Sequence, residues 1–429
     1  MKKLIFLVIF INTSLLFGQY IPKTPFTSGY TVEVGARPFG LGGAYTAVSD
    51  DYYALFYNPA GLGQIKNFTF SGSFSNLKIT DKATFFDYDS TTDASFSKIN
   101  SFGAAIPLPT TQGSLVIGIG YNRVRDFGKE LITVKNVPVI LTTPVVIDST
   151  EYSVDFDVSD SAEEFQKGAL SQTSIGASIE VAPDFFVGGS INFWSGTKEY
   201  NWNLNEIGGV YNVQLDTDGD STFDTTTTYM LSDLRQQEHY TQEYSGINLT
   251  LAFLARSRNQ NFSIGGVVKS PVNLEAKEDW DLFIRETVYP GYEPVPDTSI
   301  TDYGKFKVQS PWIFRVGAAF KYSYLLVSGD IELKDYSQIQ YTTNPPVGNK
   351  YDENKYLRRN LESVFNYALG GEFYVPGLDN FDVILRGGYN VEKSPIRNAK
   401  SSWDRTTLTF GAGVVFSEKF SADQFSLFL

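Results

Sequence analysis

Apolar residues alternate with small or polar ones, in runs of about ten residues, along nearly the whole chain. Between 172 and 181, Ile175, Ala177, Ile179 and Val181 alternate with Gln172, Ser174, Gly176, Ser178 and Glu180. Between 185 and 194, Phe185, Val187, Gly189, Ile191 and Phe193 alternate with Gly188, Ser190 and Asn192. The same pattern returns at 68–74, 115–121, 247–255, 262–269, 312–321, 325–334, 365–373, 381–390 and 408–416. A strand sends successive side chains to opposite faces, so each run has one greasy face and one small or polar face. The second face also carries charges, among them Glu180, Lys269, Arg315, Asp330, Glu332, Glu372 and Arg386.

A soluble sandwich can alternate in the same way, with its charges facing water. Two features favour a membrane barrel. Strands of about ten residues cross a bilayer when tilted by ~45°. The connectors also alternate in length. Those at 181–184, 256–261, 322–324, 376–380 and 417–419 are short, whereas 126–170, 200–240, 283–303, 337–361 and 392–405 are long. Short turns on one side and long loops on the other are the habit of outer-membrane barrels. Tyr121, Trp194, Tyr200, Trp202, Trp280, Trp312, Tyr322, Tyr324 and Tyr336 lie near strand ends, where interfacial girdles form. The strand count along the chain reaches twelve, with 422–429 as a thirteenth. Closed single-chain barrels normally have an even number, so a further strand is expected inside 77–90 or 128–158, or the chain stops short of its last one.

Composition excludes several other classes. There is no cysteine, hence no disulfide framework or thiolate site, and one histidine, His239. The formal charge is −13, the wrong sign for a general nucleic-acid binder. The chain opens with Lys2 and Lys3, continues with the apolar run 4–11, and reaches the small residue Gly18. That is the layout of a secretory signal, expected to be cleaved after Gly18. Without Lys2 and Lys3 the exported chain is more acidic still.

Residues 19–66 do not alternate. Gly35, Gly40, Gly42 and Gly43 allow close backbone approach, and Asp50-Asp51 can cap a short helix over 52–57 that ends at Asn58-Pro59. A piece this short cannot fold alone, so it is expected to pack inside the barrel as a plug. Its sequence is also specific. Gly35-Ala36-Arg37-Pro38-Phe39-Gly40-Leu41-Gly42-Gly43-Ala44, then Ser49-Asp50-Asp51, then Tyr57-Asn58-Pro59-Ala60-Gly61-Leu62 resembles the hatch of the FadL/TodX family. Weaker echoes follow in Lys269-Ser270-Pro271, Ser310-Pro311-Trp312 and Arg386-Gly387-Gly388-Tyr389-Asn390. The resemblance implies an all-β transmembrane antiparallel barrel of about 14 strands with an N-terminal hatch in its lumen. It also implies an outer-membrane transporter of long-chain fatty acids and other hydrophobic compounds, not an enzyme, with lipid and an apolar small molecule as its partners. PorV/PorQ barrels share the glycine-rich and Asn-Pro-Ala-Gly segments, and they imply the alternative of a partner in protein secretion or surface assembly.

Gly35, Gly40, Gly42, Gly43, Asn58, Pro59, Ala60 and Gly61 are therefore the expected hatch residues. Phe39, Leu41, Tyr45, Leu55, Phe56 and Tyr57 are candidate ligand-lining residues, or simply plug-to-wall packing. Asp216, Asp218, Asp220 and Asp224 space carboxylates as calcium loops do, without the glycine and glutamate of an EF-hand. They stand as a candidate structural calcium site against an acidic turn, and no other cofactor is expected. The apolar segment 137–147 is either a groove for incoming ligand or a hairpin extending the barrel. Gly118 and Gly120 either loosen a strand or make room for the plug. His239 has no nearby nucleophile motif, and Glu180, Glu332 and Glu372 are expected as lumenal charges balanced by Arg315 and Arg386.

Overall fold

An alternating strand leaves its backbone N–H and C=O groups pointing sideways, and away from water only another strand can pair all of them. The computed structural model describes residues 24–32, 34–85, 88–147, 150–215, 225–289, 297–346, 348–375 and 381–416. The plug contains a two-residue strand β1 (Tyr30–Thr31), helices α1 (Ala36–Gly40) and α2 (Ala54–Tyr57), and a 3₁₀ turn at Pro59–Gln64. The wall follows as β2 (Thr69–Phe85), β3 (Tyr88–Leu108), β4 (Leu115–Asp126), β5 (Lys129–Ile147), β6 (Thr150–Ala182), β7 (Phe185–Leu215) and β8 (Thr225–Arg256). It continues as β9 (Phe262–Lys269), β10 (Asn273–Tyr289), β11 (Thr298–Gln309), β12 (Ile313–Tyr322) and β13 (Leu325–Asp335). The short β14 (Gln340–Tyr341) and helix α3 (Lys350–Asn360) precede β15 (Ser363–Val375), β16 (Phe381–Glu392) and β17 (Arg405–Phe416).

All of these strands belong to one antiparallel sheet, and its pairings run without a gap from β2 through β3, β4, β6, β7, β8, β9, β12, β13, β15 and β16 to β17. Three wall strands are broken in two. β4 and β5 both pair with β6, β9 and β10 both pair with β8, and β11 carries on the line of β12 beside β10. Two of the breaks fall at Ser270-Pro271 and Ser310-Pro311, because proline has no N–H to give the ladder. With the halves joined and β1 and β14 set aside, the described residues hold twelve wall strands. The segment 422–429, expected as a further strand, lies outside the described residues, as do the signal segment and the short connectors at 376–380 and 417–419.

The outward face is greasy on every wall strand. Phe70, Phe74, Ile99, Ile119, Ile175, Ile191, Leu251, Val316, Ile331, Leu369, Leu385 and Phe410 are all exposed, with Phe70 reaching 69% and Leu251 68%. Among the described residues no helix is long and apolar enough to cross a membrane. The inward face meets the plug. Leu41, Tyr45, Tyr52 and Leu62 have no exposed surface, and plug residues touch strands from β3 round to β17. One short segment can be enclosed from so many strands of a single sheet only if that sheet curls around it.

Several expectations are corrected. Much of the long connectors 126–170, 200–240 and 283–303 is strand: β6 has 33 residues, β7 31 and β8 32. Past the apolar runs the sequence alternation stops while the backbone pairing continues. The segment 137–147 is hairpin, with β5 paired to β6. The plug helix starts at Ala54, with Asp51 Oδ1 accepting the Tyr53 N–H at 2.9 Å. Trp194 and Tyr200 do not join an outer girdle. They occupy even positions of β7, the face shared with buried Phe186, Ser190, Asn192 and Lys198. Trp312, Tyr322 and Tyr324 do face outward.

Candidate functional site

The plug is a string of tight turns, and these leave backbone groups without partners inside the lumen. The small polar residues of the inner face supply them. Ser178, Ser263 and Ser328 each donate a hydroxyl at 2.7 Å, to Ala60, Ala47 and Ala44 C=O respectively. Ser114 serves Gly63 C=O at 2.7 Å, and the Asn390 amide serves Gly42 C=O at 3.0 Å. Asn58 holds both sides: its Oδ1 accepts the Ala60 N–H, and its Nδ2 donates to Thr46 C=O and Phe253 C=O. Polarity on this face is thus a binding surface for the plug.

Two wall carboxylates clamp the same segment. Asp330 Oδ2 accepts the Tyr45 N–H at 3.1 Å, the Thr46 N–H at 3.0 Å and the Thr46 hydroxyl at 2.6 Å. Glu372, fully buried, takes Arg37 Nε at 2.7 Å and Nη2 at 3.1 Å, and Arg386 Nε at 2.8 Å. Arg37 also pairs with Asp50. Charge-assisted and bidentate bonds of this kind are the stronger ones. Close contact needs glycine on both sides: a Cβ on Gly388 would lie 2.1 Å from Gly42 N, and Gly42 itself has φ +62°.

Between plug and wall lies a cavity of about 150 Å³. Phe26, Val32, Phe56, Val124, Leu170, Trp194, Val272 and Ile313 give it an apolar side, whereas Asp330, Glu332, Lys334, Asn366, Asn390 and Glu392 give it a polar one. The charges around Glu332 are internally paired. Glu332 accepts from Arg315 Nε at 3.0 Å and from Lys334 Nζ at 2.7 Å, and Lys269 Nζ sits 4.2 Å over the Phe56 ring.

Of the six candidate ligand-lining residues, only Phe56 lines this cavity. Leu41, Tyr45, Leu55 and Tyr57 join Val34, Tyr52 and Leu62 in the plug's buried core, and Phe39 is half-buried away from it. Of the hatch residues, Gly43 reaches the cavity, while Pro59, Ala60 and Gly61 form the 3₁₀ turn against the wall, where a Cβ on Gly188 would lie 2.6 Å from Ala60 N. Gly35 and Gly40 are buried beside Tyr53 and Arg386. Glycines 118 and 120 lie under Leu62 and Tyr52, which favours their reading as room for the plug. The pairs Arg315–Glu332 and Arg386–Glu372 form as expected, whereas Glu180 accepts the Asp184 N–H of a turn. His239 bonds Asn201 Oδ1 at 2.7 Å. The calcium candidates Asp216, Asp218, Asp220 and Asp224 lie outside the described residues, and among the described residues no acidic or histidine group is arranged to hold a metal ion.

Sequence reasoning missed Trp194, Leu170 and Val272 as cavity walls. For Leu170 and Trp194 the signal was parity along β6 and β7, readable once the plug contacts fix which face is inside, whereas Val272 lies in the break between β9 and β10.

No protein-family model matches the sequence, and no curated protein matches it. Solved structures do. A Pseudomonas aeruginosa FadL homologue matches at 10% identity over 92% of this chain and 89% of that one, with a TM-score of 0.52. The Pseudomonas putida toluene transporter TodX matches at 13% identity over 91% and 90%, with a TM-score of 0.51. At such identities the likeness is one of architecture, and both structures are matched over nearly their whole length. The wall, the enclosed plug and these matches agree: this chain has the FadL/TodX-type fold.

Proposed function

We propose that the protein is an outer-membrane passive transporter of hydrophobic compounds, long-chain fatty acids among them, and that the plug gates their passage. The cavity between plug and wall carries this reading, because its apolar side is built jointly by the plug residues Phe26, Val32 and Phe56 and by wall residues such as Leu170 and Trp194. An apolar ligand gains roughly 0.8 kcal/mol for each CH₂ it removes from water there. A plug movement that shifts Phe56 would open or close the same space. The resemblance of the hatch and the toluene transport of TodX support the substrate class. The alternative of a secretion partner predicts a lumen filled by the plug, and the cavity counts against it. Native mass spectrometry of the purified protein should find an apolar molecule bound, and Phe56→Asp should lose it. Absence of any apolar ligand in both proteins would defeat the transport reading and favour the secretion one.

A further inference from the structure

The chain is acidic overall, with a formal charge of −13, yet one part of its surface is basic. Residues 350–362 and 393–405 carry eight basic side chains against four acidic ones. The two segments are stitched together although they lie apart in sequence. Ile396 bridges Leu361, the Arg397 N–H donates to Asn360 C=O at 2.7 Å, and the Glu362 N–H donates to Pro395 C=O at 3.0 Å. Arg397 Nη2 also reaches Arg358 C=O at 3.3 Å and Leu361 C=O at 3.2 Å, closing the end of α3. Two of the cations are balanced, Lys393 by Asp404 and Arg405 by Glu392. Lys355, Arg358, Arg359, Arg397 and Lys400 are exposed, and none forms an ion pair among the described residues. Asp352 and Glu353 lie in the first turn of α3, away from this end, which leaves Glu362 against four cations. The dipole of α3 favours positive charge at its end, but half a charge does not balance so many.

The place of the cluster decides what it meets. Its two segments join the wall at the ends of β15, β16 and β17, on the side of the long connectors, which is the outer side in barrels of this kind. The apolar belt begins only a few residues away, at exposed Phe365 and Tyr367 on β15 and at Leu408 and Phe410 on β17. Trp403, also exposed, falls between Lys400 and Leu408 in the chain, and an aromatic ring suits the boundary between hydrocarbon and head groups. The lumen lies on the other side of α3. Leu357 and Leu361 are buried there with Phe26, and none of the five cations lines the cavity. Basic side chains at a membrane surface attract anionic lipid, and a guanidinium group matches phosphate with two parallel hydrogen bonds.

We propose that the end of α3 and the connector between β16 and β17 form a docking surface for the phosphate groups of outer-leaflet lipids, with Arg358, Arg359, Arg397 and Lys400 as the contacts. The surface serves the lipid around the barrel and is separate from the cavity. The test is native mass spectrometry of the full purified chain in non-ionic detergent with didecanoyl phosphatidate, didecanoyl phosphatidylcholine or decanoate. The wild-type protein should bind phosphatidate more tightly than phosphatidylcholine, and the difference should shrink as salt rises. Each cation at a lipid surface is worth about fivefold in binding. Arg359→Gln combined with Lys400→Gln spares the Arg397 bonds that close α3, and it should weaken phosphatidate binding about twenty-five-fold with gel mobility of the folded barrel unchanged. Arg359→Lys combined with Lys400→Arg keeps both charges and should keep most of the binding. Lys277→Gln combined with Lys305→Gln removes the same charge from exposed positions of β10 and β11, and should change little. Equal binding of the two lipids by the wild type, no loss in the Arg359/Lys400 glutamine variant, or an equal loss in the Lys277/Lys305 variant would overturn the assignment. Tighter binding of decanoate than of phosphatidate, lost in the same glutamine variant, would make the cluster a capture site for anionic ligand and overturn it as well.

Discussion

Single side chains decide whether the plug stays seated, and Glu372 is the clearest case. Its carboxylate joins Arg37 of the plug to Arg386 of β16, with no exposed surface of its own. Removing one partner from a buried ion network leaves charge uncompensated, at a cost of about 3–5 kcal/mol. Glu372→Leu is therefore expected to destabilise the folded barrel by that amount in urea unfolding from micelles, and to raise ion conductance through the plugged lumen in planar bilayers. A loss below about 1 kcal/mol, the scale of an exposed pair, would show that the network does not hold the plug. The serine and asparagine donors differ from Glu372 in being numerous and neutral, so each single loss should be smaller.

Among the elements, β6, β7 and β8 are the unexpected ones. Each exceeds 30 residues, about three times what a tilted strand needs to cross a bilayer. Their extensions remain fully laddered: Tyr200 faces Tyr240, Tyr240 faces Trp280, and the Tyr200 and Tyr240 rings stack 4.6 Å apart. The Trp280 N–H reaches Glu238 at 2.8 Å, and Lys198 Nζ reaches the Tyr240 hydroxyl at 3.0 Å. Hydrogen exchange on the detergent-solubilised protein should accordingly find amides of 198–204 and 236–242 protected to a degree close to that of 186–192. Rapid exchange there would restore the loop reading of those residues.

At the scale of the whole molecule, the exposed belt sets the solvent. Leu251 stands near the middle of the outward run of β8, and its outward neighbours Leu249 and Phe253 are exposed as well. An arginine at the midplane of a barrel's lipid face costs about 2–4 kcal/mol, falling toward zero near the interfaces. Leu251→Arg should lower unfolding free energy in lipid vesicles by that amount. The same change at Thr250, buried on the opposite face, should act by crowding and should not depend on bilayer thickness. An exposed Leu251→Arg without effect would mean that water, not lipid, covers this belt.

The sequence by itself determined the strands and their sidedness. Ile175, Ile179, Val187 and Ile191 fall outward because period two leaves an apolar residue no other option, and the glycines of 35–43 announce a segment that packs by backbone contact. Much of the candidate site was not legible in the same way. That Trp194 lines the cavity while Phe193 faces out depends on one step of parity, and that step becomes certain only when the plug fills one side. Leu41, Tyr45, Leu55 and Tyr57 look as suited to a ligand as Phe56 does, yet they pack against one another. The reach of β6 to β8 past the apolar runs left no alternation to read, since polar and aromatic residues occupy both faces there. Tertiary structure alone decided which charges are paired. Arg315 and Glu332 meet across β12 and β13, whereas Arg359 and Lys400 form no ion pair among the described residues. Local pattern fixes the face of a strand, but only the curling of the sheet around its plug fixes what that face encloses.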